Sequence, residues 1–353
     1  MSFMVTADDI DTWAGNAQDA SILLPKLVQR LILATPVDIE SIAFGSNVNT
    51  SGYDGVVHAG LYNALKPSER FVPSQGVSVW ELSVGKEVVR KAQEDFDKRT
   101  KEPGEVDPSQ TTYVAVTGRH WPKSPRDISK RREAWRHARR DKGPWHDVRV
   151  LDAEGLAAWL SLCPAVEIWF ADLIGKRPPG VYGLERYARE WEENHFLQLG
   201  ERRLHLPVTI WKGEGERNRV VRLIREWCLS SDVRPCYLDA PEPEDALLFA
   251  IAALISDDWP GREEALARTV VVPGAAEWRA LLDRSPAAGL ILLPTFHVRG
   301  VAGVDRPGER RAHIMIPHPP SIERPRYHIG VTPLHPAMLH RAIVEHTGVA
   351  PHE

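Results

Sequence analysis

The hydrophobic pattern of this chain changes period again and again, and that switching restricts the fold to sheets with helices laid against them. Residues 7 to 14 and 17 to 34 read as helices, the second carrying Ile22, Leu23, Leu27, Leu31 and Leu33 near one stripe before Pro36. The period then drops to two. "SIAF" (41 to 44), "YDGVVHA" (53 to 59) and "VSVWELS" (77 to 83) read as strands, and a helix follows from about 87 to 99 with Val88, Ala92 and Phe96 on one face. "TTYVAVT" (111 to 117) reads as a buried strand, followed by a basic helix near 126 to 140, "DVRVLD" (147 to 152) and an apolar helix near 153 to 173. Helix, three strands, helix, strand, helix, strand, helix is the order of a mixed α/β sheet.

A chain of 353 residues exceeds one ordinary core, and "GKRPPGVYG" (175 to 183) has the breaker density of a boundary. The expected division is 1–175, a connecting helical segment 176–205, and a second domain 206–353. In the second domain, strands near 206 to 211, 234 to 238, 268 to 272, 289 to 293 and 312 to 316 alternate with helices near 216 to 229, 243 to 256 and 275 to 284, the pattern of a doubly wound parallel sheet. The last segment has helical spacing without a clear terminus, as in the front part of a longer protein. No apolar run approaches the roughly 18 residues of a membrane span. The start "MSFMVTADDI" lacks a signal-peptide pattern, so the chain is expected in the cytoplasm and away from membranes. Cys163, Cys228 and Cys236 are widely spaced and suggest neither a disulfide framework nor a zinc site.

Two acids sit where apolar strands leave them exposed to a cost. Asp54 lies in "GYDGVV" and Glu81 in "VSVWELS", and a buried carboxylate needs a partner. Alternation puts Val77, Val79, Glu81 and Ser83 on one face of that strand. Acids ending neighbouring strands can share a Mg²⁺ ion, which binds through one or two carboxylates and keeps several waters. A lysine nearby would orient the attacking water, and Lys86 is the nearest in sequence. The plainer readings are that Asp54 is a turn residue, that Glu81 belongs to a structural ion pair, that Lys86 is a solvated helix-start lysine, and that Lys91 and Asp95 form a surface pair.

These residues resemble a known family. A strand with Asp, a loop, a strand with Glu, a nearby lysine and the observed order of elements look like the PD-(D/E)xK restriction-endonuclease-like nucleases. "GYDG", "VSVWELSVGK" and "KAQEDFDKR" are similar to a bacterial group in which such a domain precedes a STAND-like P-loop domain in anti-phage defence. The resemblance implies a Mg²⁺- or Mn²⁺-dependent DNA endonuclease, a regulated effector. Asp54 and Glu81 would be metal ligands, and Lys86 would take the place of the family's lysine. Ser83 stands two after Glu81, where the family's motif has lysine, so Lys86 or Lys91 must reach the site from a displaced position. The alternative is a catalytically weak nucleic-acid-binding or assembly protein that keeps the fold.

The cations between 119 and 142 point the same way. Ten Lys/Arg stand there against three acids. Among them Arg119, Lys123, Lys130, Arg131, Arg132, Arg136, Arg139 and Arg140 are expected to contact DNA phosphates, with Trp121, Trp135 and Trp145 able to stack on bases. The second domain is expected to be a degenerate P-loop or Rossmann-like unit without ATP. "WKGEGERNRVVRLIREW" lacks Gly-Lys-Ser/Thr, although Arg217 and Arg219 leave anion binding open. A domain of this kind would dock an activating protein partner or a second copy of the chain, or sense a nucleotide.

Overall fold

The computed structural model describes residues 5–45, 52–60, 71–73, 75–123, 131–199, 201–230, 235–284, 289–296, 312–318 and 328–347. It is mixed α/β and divides into two compact units, 2–163 and 164–353. The first contains α1 (Ala7–Asn16), α2 (Ala20–Ala34), β1 (Ile39–Phe44), β2 (Gly55–Ala59), β3 (Gly76–Ser83), α3 (Val88–Lys101), β4 (Thr111–Thr117), α4 (Arg132–Lys142), β5 (Asp147–Leu151) and α5 (Ala153–Leu160). A capping box opens α1: the Thr6 hydroxyl accepts the Asp9 N–H at 3.2 Å, and the Asp9 carboxylate accepts the Thr6 N–H at 2.8 Å.

The sheet runs β1-β2-β3-β4-β5. Strands β1, β2 and β3 pair antiparallel in succession, while α3 and α4 carry the chain back for parallel β4 and β5. Alternation along β3 sorts the two faces. Val79 packs with Tyr113, Phe96, Trp135 and Trp145 in one cluster. On the other side Trp80 meets Phe44 and Trp159, their ring centroids 6.0 and 6.3 Å away.

The expected helix over 153–173 is two helices. The Asp152 carboxylate caps α5 by accepting the Gly155 N–H at 3.0 Å, and Pro164 starts α6 (Pro164–Leu173), because proline fits a first turn and cannot continue a helix. The boundary between units therefore falls at 163/164, ahead of the expected 175. Residues 176–205 are not a detached connector either. They supply β6 (Tyr182–Gly183), which pairs with a later strand, α7 (Leu184–Asn194), which buries Leu184, Ala188 and Trp191, and the hairpin β7 (Phe196–Leu199) and β8 (Arg202–His205).

The second unit continues with α8 (Arg217–Leu229), β9 (Pro235–Asp239), α9 (Pro243–Ile255), α10 (Arg262–Arg268), β10 (Thr269–Val272), α11 (Ala275–Arg284), β11 (Ile291–Pro294), β12 (His313–His318), β13 (His328–Gly330) and α12 (Pro336–Thr347). Its sheet runs β13-β9-β12-β11-β10-β6, parallel except for the antiparallel edge strand β6. Apolar all round, α9 is buried from Ala246 to Leu254 and forms the centre of this core. The strand expected at 206–211 is absent: Val208–Lys212 is a 3₁₀ turn. The reason lies partly in Arg217, whose guanidinium donates to the carbonyls of Trp211, Lys212 and Thr332 and lies 4.5 Å over the Phe249 ring. Arg217 is thus consumed by the fold, contrary to its expected availability for an anion. Among the described residues no helix is long and apolar enough to cross a membrane.

An exposed ion network on this unit gives a small, pH-dependent expectation. Hydrogen bonds from Lys212 and then Arg225 hold the Asp258 carboxyl below the usual carboxylate range. A depressed folded-state pKa stabilises above the unfolded value of about 3.9 and ceases to do so as pH falls through the folded value. Asp258→Asn should therefore cost less than about 1 kcal/mol at pH 7, and less still at pH 3, since half-exposed pairs are screened by solvent. Urea melts at the two pH values check this.

Candidate active site

The β2–β3 ladder brings the two strand acids together. Gly55 pairs with Trp80, so one further step places Asp54 alongside Glu81. The turn entering β2 is fixed to β3 from both sides: the Asp54 N–H donates to the Trp80 carbonyl at 3.1 Å, and the Leu82 N–H donates to the Asp54 carboxylate at 2.7 Å. Both carboxyls lie above their usual range. Burial is the main cause at Asp54, opposed by the Leu82 N–H. Burial also pushes Glu81, 7% exposed, up to about 7, against the hydrogen bond from Arg99 and with the help of the Asp54 charge.

Helix α3 supplies the cations. Lys91, Asp95 and Arg99 recur at a spacing of four, on the side of α3 that meets β3. The Arg99 guanidinium donates through Nε to Glu81 Oε1 and through Nη2 to the Gly52 carbonyl, and it lies 4.7 Å over the Tyr53 ring. It therefore ties the segment leading to Asp54 to the strand bearing Glu81. Gly52 suits this place because its φ of +73° is a left-handed conformation that side chains resist. Lys91 Nζ contacts Asp95 Oδ1 at 2.5 Å; this bond raises the lysine's pKa, with smaller contributions from Glu81 and Asp54. Beneath the carboxylates, the buried Tyr113 hydroxyl has no hydrogen-bond partner, and burial together with Glu81 and Asp95 pushes its pKa well up.

The remaining residues expected at this site fall elsewhere. Lys86 is exposed in the turn after β3, and the lysine whose charge reaches both carboxylates is Lys91. Ser83 accepts the Gly85 N–H at 3.1 Å, closing that turn. Arg99, Asp95 and Tyr113 were not anticipated as site residues. The four-residue spacing of Lys91, Asp95 and Arg99 puts them on one stripe of α3, but the spacing alone does not say whether that stripe faces solvent or the sheet.

The basic segment is largely spent within the fold. Arg119 pairs with Asp11 at 3.3 Å, Arg132 with Asp152 at 2.5 Å, Arg136 with Glu133 at 2.9 Å, and Arg139 donates to Gln93 Oε1 at 2.9 Å while stacked on Trp135. Arg131 is exposed at the start of α4, and Lys130 lies outside the described residues. Lys123 and Arg140 are mostly or half exposed and pair with Glu154 and Asp147 at 2.6 and 3.7 Å; such pairs are weak enough for a phosphate to replace. The expected stacking platforms are absent. Trp121, Trp135 and Trp145 are all buried, packed with Phe96 and Tyr113.

Among the described residues no group of three or more His, Cys, Asp or Glu is arranged to hold a metal ion. The available donor set is two carboxylates, with Arg99 bound to one oxygen of Glu81. That set suits Mg²⁺ or Mn²⁺, which take hard oxygen ligands and complete their shell with water or substrate phosphate. No family model and no curated protein matches this sequence.

Proposed function

We propose that residues 2–163 form a metal-dependent DNA endonuclease of restriction-endonuclease-like type, regulated through residues 164–353. The observation that carries this reading is the pair of carboxylates, half-buried Asp54 and buried Glu81, placed side by side by the β2–β3 register, with a Lys91 ammonium whose charge acts on both. The element order of the resemblance, helix, three strands, helix, strand, agrees with α2 to β4. Asp54 and Glu81 would hold Mg²⁺ or Mn²⁺, which when bound lowers the pKa of water and offsets charge developing on the phosphate. Lys91 would hold the nucleophile and the phosphate in line through its ammonium protons. The turn closed by Ser83 and the packed Tyr113 would keep the Glu81 strand end rigid. Residues 164–353 are read as a degenerate P-loop-like partner domain with no use for ATP, docking an activator or a second copy.

One observation favours a second reading, a fold retained without turnover. Arg99 already satisfies Glu81, as a purely structural ion pair would. Supercoiled plasmid with Mg²⁺ or Mn²⁺, beside Glu81→Ala and an EDTA control, separates the two. Metal-dependent nicking, reduced to background in Glu81→Ala, is expected; salt-sensitive binding without nicking would favour the second reading.

A further inference from the structure

We propose that Asp95 is a positioning residue, whose carboxylate draws the Lys91 ammonium in over Asp54 and Glu81. This rests on the hydrolytic reading above and assigns a role to a residue to which the resemblance gives none. The competing explanation is an ordinary surface pair one helical turn apart, of little energetic consequence.

The same helix contains a control. Arg90 and Glu94, one residue back, form such a pair at 2.8 Å with side chains 66% and 54% exposed. Lys91 and Asp95 differ: the lysine is 48% exposed, but the acid only 14%. Asp95 is turned inward, and its charge acts on Asp54, Glu81 and the Tyr113 hydroxyl.

Helix energetics do not explain the pair. Lys91 lies in the first turn of α3, where a cation opposes the helix dipole, and acid following base is the weaker order for such pairs. Adding a third acid beside half-buried Asp54 and buried Glu81 raises their repulsion as well. The fold gains little from this placement of Asp95, and what the pair achieves is a fixed place for an ammonium group. Lysine has a long flexible stem whose rotamers must be restricted before its charge can serve a defined geometry. Asp95 supplies that restriction.

Asp95→Asn and Asp95→Glu test this by two measurements. In metal-free protein, the Lys91 ¹⁵Nζ signal, assigned with Lys91→Gln, is expected to show slowed ammonium proton exchange in the wild type and in Asp95→Glu, and fast exchange in Asp95→Asn. In plasmid cleavage with Mg²⁺, Asp95→Asn should lower kcat by about 100-fold with KM unchanged, the scale of a misplaced reacting group, and Asp95→Glu should recover most of it. Unchanged kcat in Asp95→Asn beside a lowered melting temperature, or fast Lys91 exchange already in the wild type, overturns the proposal. Slowed Lys91 exchange that depends on Asp95 in a chain that cuts no plasmid would uphold the positioning and refute the hydrolytic reading instead.

Discussion

Arg99→Ala is expected to cost about 3–5 kcal/mol of folding stability, the range for breaking one side of a buried ion pair. The guanidinium is 9% exposed and binds the Glu81 carboxylate, the Gly52 carbonyl and the face of Tyr53 together. Removing it leaves Glu81 buried and uncompensated and frees the segment that carries Asp54. The loss should depend on pH. Glu81 already titrates at about 7, above its unfolded value of about 4.3. A carboxyl whose pKa is raised in the folded state favours folding fully below the unfolded value, and that contribution disappears as pH rises through about 7. Without Arg99 the folded-state value rises further, so the deficit at pH 8.5 should exceed that at pH 5.5. Replacing the whole pair, Glu81→Leu with Arg99→Met, should recover most of the stability, because apolar groups of similar size carry no desolvation cost. Guanidinium melts of the wild type and the two variants at both pH values check this. An equal deficit at the two pH values would mean that Arg99 does not hold an ionised Glu81.

The same pair shows where sequence reasoning stopped. The strand at 76–83 is legible from its period of two, within which Glu81 stands out, and that at 111–117 from its β-branched and aromatic content. Two acids in successive strands can be expected on neighbouring strands, but the antiparallel register that sets Asp54 alongside Glu81 was not legible. Arg99 was not legible, because its partner is 18 residues away and a spacing of four on α3 reads the same whether the stripe faces solvent or sheet. Strand order in the second unit was beyond local pattern too. At two residues, β6 is too short to show a period, and the β-branched segment at 208–212 imitates a strand while Arg217 binds the carbonyls around it. Ten cations within the 24 residues from 119 to 142 drew attention to charge, whereas α4 within that segment is positioned by its single buried residue, Trp135.

Trp135→Ala is accordingly expected to destabilise the first unit by about 3–5 kcal/mol, as for a large aromatic removed from a core. The indole is 1% exposed, with ring centroids 5.8 Å from Phe96 and 5.6 Å from Trp121, and its N–H donates to Gln93 Oε1 at 3.1 Å. Trp135→Phe should cost less, about 1–2 kcal/mol, because it keeps an aromatic ring in place and Gln93 retains Arg139 as a donor. These two variants separate a core tryptophan from a base-stacking one. A stacking residue would lose nucleic-acid affinity, by about 1–3 kcal/mol per base, and leave stability almost unchanged. Here stability should fall, while single-strand affinity of the folded Trp135→Phe variant, measured by fluorescence anisotropy, should match that of the wild type. Loss of affinity at full stability would return Trp135 to the surface and restore the stacking role. Since α4 is anchored through this one side chain, its loss should also release Arg139 from Gln93, leaving this cationic helix without its docking site.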